Sequence, residues 1–289
     1  MGNCCTKLLG DDSSLIAKNE EEIDFPFYES KFDHIYSAIE VKYNCFSNVN
    51  IVQYMNLLEH FQISHCTIFF PGPYKTNFSN KDSFLKEKLV EEEFQSFLEN
   101  QILNIPDILS FFGFDDSKIS LFKQIYINIF KTLQYKLNKE LKKYEIKKSN
   151  IIPIGLLFCK SNNIDKVKLF FDLFKNDNGK FCKSELLDDY LLSNFLISSY
   201  CMLKVRKDLG DNEKFRIVRS ESIAMIVNYC QFSDCQNLVK YFNDKFFDKE
   251  ELTWPEFKKK FNTKIKNHSF GWIFSSRGIR NYLEKLNED

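Results

Sequence analysis

Apolar residues recur at helical spacing along most of this chain, and short polar stretches interrupt them often enough to end one helix and begin the next. The clearest case is 165–186, DKVKLFFDLFKNDNGKFCKSEL, where an amphipathic run meets a polar loop around Gly179 and a second apolar run follows. That pattern predicts helix, tight loop, helix, with the second helix running over 184–203. Upstream, Phe32, Ile35, Ile39 and Val41 keep roughly helical spacing, NCFSNVN interrupts them, and IVQYMNLLEHF resumes as a helix. Ser117 is placed to cap a helix carrying Leu121, Ile125, Ile129, Leu133, Leu137 and Leu141 on one stripe. The stripe is read as core packing; the sharper reading is an element that fills a groove of the protein or docks a partner helix. After it, IIPIGLLF reads as a buried run that Pro153 and Gly155 keep from being a regular helix. KDLGDNEK reads as a loop and 220–230 as a helix. A surface-prone aromatic patch begins at Asn267, and a short helix over 277–286 ends the pattern as a tail suited to covering a groove.

Composition narrows the classes. A chain of 289 residues, 44% apolar with 31 Phe, can bury one large core or two smaller ones. Lys plus Arg and Asp plus Glu number 40 each, so the balance gives no reason to expect a nucleic-acid partner. The nine cysteines, Cys4, Cys5, Cys45, Cys66, Cys159, Cys182, Cys201, Cys230 and Cys235, are scattered and form no CxxC pair, a usage expected of a reducing cytosol. His60, His65 and Cys66 have no second cluster at finger-like spacing, and zinc is not expected there. No Gly-rich phosphate loop, nucleophile elbow, HExxH or paired Cys-His arrangement occurs, so the chain is not read as an enzyme.

The first six residues, MGNCCT, fit the acceptor pattern for N-myristoylation of Gly2. One myristoyl chain gives only marginal, reversible attachment, and the acidic residues that follow rule out a polybasic second signal. S-palmitoylation of Cys4 and Cys5 supplies that second signal. No apolar run reaches the roughly 18 residues of a spanning helix, so the expected location is the cytoplasmic face of a membrane, with 8–24 as a polar tether.

A repeat organises the rest. FLKEKLVEEEF at 84–94 aligns without gaps with FDKEELTWPEF at 247–257, six positions being identical. In each, an apolar residue, Leu89 or Leu252, precedes a glutamate four residues later, Glu93 or Glu256, and then Phe. Phe181 and Glu185 repeat that interval in the third loop, and Ile51 with Met55 marks a first, degenerate copy. The first and second loops start at Asn44 and Asp82, 38 residues apart, the distance a pair of helix–loop–helix units needs. The third and fourth start at Phe174 and Lys245, 71 residues apart, which leaves room for an inserted helix or two.

Together the acylation signal, the paired loops and the helical tail resemble the EF-hand superfamily, in particular the N-myristoylated neuronal-calcium-sensor and calcineurin-B-like proteins. The resemblance implies a mostly α fold of two pairs of EF-hand-like units with inserted helices. Its divisions are a lipid-modified tether over 1–25, a degenerate pair over 26–115, a helical insertion over 116–160 and a second pair with a tail over 161–289. It also implies loop pairing through the apolar eighth position and calcium oxygens at alternate positions around a glycine. Carried onto this chain, the ligand set is Asn176, Asn178, the carbonyl of Lys180 and Glu185, one weak calcium site, with Phe174 standing where the first ligand belongs. The implied function is a membrane-tethered adaptor, largely calcium-independent, that binds an amphipathic helix of a partner protein. A calcium sensor using the third loop and a submembrane cytoskeletal component are the alternatives.

Overall fold

A computed structural model describes residues 23, 25–29, 36, 49–60, 85, 88–89, 116–142, 146–204, 231–262 and 269–286. These are mostly helical: α1 (Ile51–His60), α2 (Asp116–Leu141), α3 (Lys148–Phe158), α4 (Asn163–Phe174), α5 (Glu185–Leu196), α6 (Phe232–Phe246), α7 (Trp254–Lys259) and α8 (Ser276–Leu286). A π-helical turn, Ile197–Cys201, extends α5, and a 3-10 turn, Phe270–Phe274, precedes α8. The strands are two residues each: β1 (Lys88–Leu89) pairs antiparallel with β2 (Ile146–Lys147), and β3 (Phe181–Cys182) with β4 (Glu251–Leu252).

The 165–186 stretch folds as its pattern predicts. Asn162 caps α4 by accepting from the Asp165 amide at 2.8 Å, and Ser184 caps α5 by accepting from the Leu187 amide at 3.2 Å. Between them the chain reverses through Gly179, whose φ of +72° is the left-handed conformation that glycine adopts without penalty. The apolar faces of α4 and α5 then close on Phe170, whose ring lies 5.2–5.5 Å from those of Phe174, Phe181, Tyr190 and Phe274. In α2, Ile129, Leu133 and Leu137 of the stripe are buried in the same core, and Leu141 packs half-buried at its edge.

Three expectations are corrected. The run IIPIGLLF lies within a regular helix, α3, with Pro153 inside it. Proline removes one backbone donor at a cost of about 3 kcal/mol, but burying Ile151, Ile152, Ile154 and Leu156 completely returns roughly 1.5–3 kcal/mol each, so burial wins. Second, Ile51 is no strand residue. It opens α1, because Asn50 caps that helix by accepting from the Val52 amide at 2.8 Å. Leu89 instead pairs with Ile146, inside the stretch read as an insertion. Third, the aromatic patch is not at the surface. Trp272, Ile273 and Phe274 are buried, because the tail folds back over α5 and α6 with Asn194 Nδ2 donating to the Ile273 carbonyl at 2.8 Å.

Gly155 is where α1 and α3 touch. A Cβ there would lie 2.4 Å from Tyr54 Cδ1, and that ring is held in place by its hydroxyl donating to the Ile151 carbonyl at 2.8 Å. Gly155→Ala is therefore expected to destabilise the fold by about 1–3 kcal/mol through overpacking, against a helix-propensity gain of about 1 kcal/mol. Urea unfolding of the two proteins checks this; a more stable variant would show that Tyr54 moves freely.

Candidate functional site

The β3–β4 ladder ties the third loop to the fourth in the register Phe181↔Leu252 and Cys182↔Glu251. These two apolar residues are the ones that the sequence places at equivalent positions of the two loops. The ladder also brings Glu251 over the third loop, where one carboxylate organises most of the polar groups. Asn176 Nδ2 donates to Glu251 Oε1 at 2.8 Å, and the Lys180 ammonium pairs with Glu251 Oε2 at 2.9 Å. The Lys180 hydrogen bond holds the Glu251 carboxyl below its usual range.

The oxygens of the third loop are turned toward the loop itself. Asn176 Oδ1 accepts from the Lys180 amide at 3.0 Å, and the Lys180 carbonyl accepts from the Asn176 amide at 2.7 Å. Phe174 is packed in the aromatic core. Asn178 is exposed at the turn, and Glu185, also exposed, is the first residue of α5. Of the four expected ligands, the Asn176 and Lys180 oxygens each accept from the other residue's backbone amide, and the one carboxylate, Glu185, stands at the helix start. As folded, this donor set does not fit a calcium ion, which takes six to eight oxygens with several carboxylates among them. Among the described residues no group of three or more His, Cys, Asp or Glu forms a metal centre.

The fourth loop has a cation of its own. The Lys249 ammonium lies 2.6 Å from Glu256 Oε1, while Glu256 Oε2 accepts from the Thr253 amide at 3.0 Å and from Thr253 Oγ1 at 2.8 Å. Glu256 thereby closes the loop onto the start of α7 as a capping box. Its carboxyl is held down from 4.5 to about 2, chiefly by Lys249 and then by the Thr253 backbone amide. Lys260 pairs with Asp248 at 3.0 Å and lowers that carboxyl as well.

A depressed carboxylate favours the fold above its unfolded pKa and loses that contribution as pH falls through the folded value. Acid should therefore weaken the protein progressively from about pH 4.5 down to about 2 as Glu256 takes up its proton. Glu256→Gln is expected to flatten the stability profile across that window, measured by urea unfolding at a series of pH values. An unchanged acid limb would remove Glu256 from the account.

The same local device recurs where β2 runs into α3. Asn150, four residues beyond Ile146, accepts from the Lys147 amide at 2.9 Å, as Glu256, four beyond Leu252, accepts from Thr253. Asn150 Nδ2 also donates to Ser193 Oγ at 2.9 Å, and Lys147 pairs with Asp189 at 2.9 Å, tying α3 to α5. The available signal was the interval itself, an apolar residue followed four later by an oxygen-bearing cap. Gly2, Cys4, Cys5, His65, Cys66, Glu93, KDLGDNEK and 220–230 lie outside the described residues, as do 44–48 of the first loop and all of the second loop but 85, 88 and 89.

The described residues are mostly helical and carry two two-residue antiparallel ladders, one of which joins the loop between α4 and α5 to the loop between α6 and α7. No family model, curated protein or solved structure matches the chain. No described helix is long and apolar enough to cross a membrane.

Proposed function

We propose that this chain is a divergent EF-hand-like adaptor, related to the neuronal-calcium-sensor and calcineurin-B-like proteins and held at the cytoplasmic face of a membrane by acyl groups on Gly2, Cys4 and Cys5. The observation that carries the reading is the loop pair joined at Phe181 and Leu252, each loop locked by a lysine: Lys180 on Glu251, and Lys249 on Glu256. In a calcium-binding pair the ion draws the loop oxygens together. Here ammonium groups and loop amides satisfy them, so the paired shape persists without metal. The Ile146–Asn150 segment, pairing with Leu89, supports a second such pair.

The partner is an amphipathic helix of another protein. Support comes from α8, which buries Ile279 and Leu283 against the body and leaves Lys285 exposed, the pattern a docked helix has. Palmitate and myristate together give stable anchoring, which neither the single myristoyl chain nor the neutral protein surface supplies.

Fractionation of cells expressing the full chain tests the reading. The wild type is expected in the membrane pellet with calcium or with chelator alike, and Gly2→Ala in the supernatant. Unchanged pelleting of Gly2→Ala would remove the lipid anchor. Heat on titrating calcium into the unacylated protein, lost in Glu185→Gln, would replace the adaptor with a sensor that uses the third loop.

A further inference from the structure

Between α6 and α7, beneath the returning tail, lies a cleft of about 520 Å³. That volume suits a small organic ligand. One wall is aromatic: Tyr241 of α6 and Tyr282 of α8 stand 6.1 Å apart, and Tyr282 stacks on the buried Trp272 at 4.4 Å. Phe270, half-buried, completes it. Four lysines also line the cleft, Lys245, Lys249, Lys259 and Lys260, from the end of α6, the fourth loop and the end of α7.

The charges do not cancel. The carboxylates in the lining are Asp248 and Glu256, and each already holds one lysine, Lys260 at 3.0 Å and Lys249 at 2.6 Å. No carboxylate among the described residues pairs with Lys245 or Lys259, both exposed at the mouth. The cleft therefore presents two uncommitted ammonium groups together with aromatic rings, in a chain whose overall formal charge is zero. A local excess of this kind is a property of the site and not of the surface at large.

We propose that this cleft binds a phosphate monoester carried on a small ring or polyol. A phosphate monoester carries roughly −1.5 to −2 charge at neutral pH, matching two ammonium groups, and its oxygens accept charge-assisted bonds from lysine point charges. A carboxylate would leave one lysine unmatched. An acyl chain would fit the rings but would have to displace water from both ammonium groups without replacing those bonds. The organic part of the ester lies on Tyr241 and Tyr282, whose half-buried rings offer apolar area beside polar hydroxyls. The ester is either a soluble molecule or a phosphorylated lipid headgroup, which share this chemistry.

The test uses the full-length unacylated chain, so that its result does not depend on the lipid anchor proposed above. Inositol trisphosphate is titrated calorimetrically, and flotation is measured with phosphatidylcholine vesicles with and without phosphatidylinositol bisphosphate. The double variant Lys245→Gln, Lys259→Gln is compared with Lys139→Gln, Lys168→Gln, a charge-matched control at exposed helix positions outside the cleft. The expected result is binding that falls about tenfold or more in the cleft variant and stays within about twofold in the control. Binding of the soluble ester with that pattern identifies a free phosphate ester as sufficient. Flotation with phosphoinositide vesicles alone, with the same pattern, identifies the headgroup. Absence of binding to both probes, or equal losses in the two double variants, would overturn the proposal.

Discussion

Phe181→Ala is expected to destabilise the protein by about 3–5 kcal/mol, the cost of deleting a fully buried aromatic side chain. The residue forms β3 and carries the ladder to Leu252, so its ring sits where the third and fourth loops meet. It lies 4.5 Å from the Phe257 ring, 5.3 Å from Phe170 and 5.8 Å from Phe246, and it stacks on Phe247 at 5.7 Å. Those rings come from three segments: α4, the end of α6 where it runs into the fourth loop, and α7. Collapse around the missing ring would require all of them to move together, which keeps the residual cavity large and the cost near the upper end. Urea unfolding gives the magnitude. Amide exchange localises it, with Cys182 and Leu252 expected to lose protection before α3 does. A loss below about 1 kcal/mol would show that the loop pair is not the centre of this core.

Trp272→Ala is the second large effect, about 3–5 kcal/mol by the same argument, but its consequence is local release of the tail. Trp272 is 1% exposed. It stacks on Tyr282 at 4.4 Å and on Phe195 at 5.7 Å, so it joins α8 to α5. Gly278 lets the chain turn tightly there, since a Cβ at that position would meet the Trp272 backbone at 2.9 Å. Without the indole, α8 keeps Ile279, Leu283 and the Arg280 hydrogen bond to the Ser198 carbonyl at 3.1 Å, but loses its aromatic clasp. Limited trypsin digestion is expected to cut the variant first after Arg277 or Lys285 while the remainder stays intact. Cleavage spread evenly along the chain would mean that the tail and body unfold as one unit.

The contacts of Phe181 and Trp272 differ in how far the sequence announces them. The third helix–loop–helix was legible because its determinants are local. Apolar spacing, the Asn162 and Ser184 caps and Gly179 each act within a few residues, and the structure contains each of them. The terminal helix was legible for the same reason, its predicted start at 277 lying one residue from the observed one. The candidate site was harder. The sequence supplies oxygens at alternate positions of the third loop, but nothing near Asn176 announces that Glu251, across the ladder, takes its amide group. The Lys249–Glu256 pair spans seven residues and was readable in principle from the interval.

What the sequence determined by itself is therefore the helices α1, α2, α4, α5 and α8, the loop that needs a glycine, and the equivalence of Phe181 with Leu252. Tertiary structure decided the partners. It set Leu89 against Ile146, kept α3 helical through Pro153 by burying its isoleucines, and folded the aromatic tail inward over α5. The division has one physical cause. Capping, turning and amphipathic spacing are settled between neighbours along the chain, whereas strand pairing, burial and the choice of counter-ion are settled by which distant surfaces exclude water together.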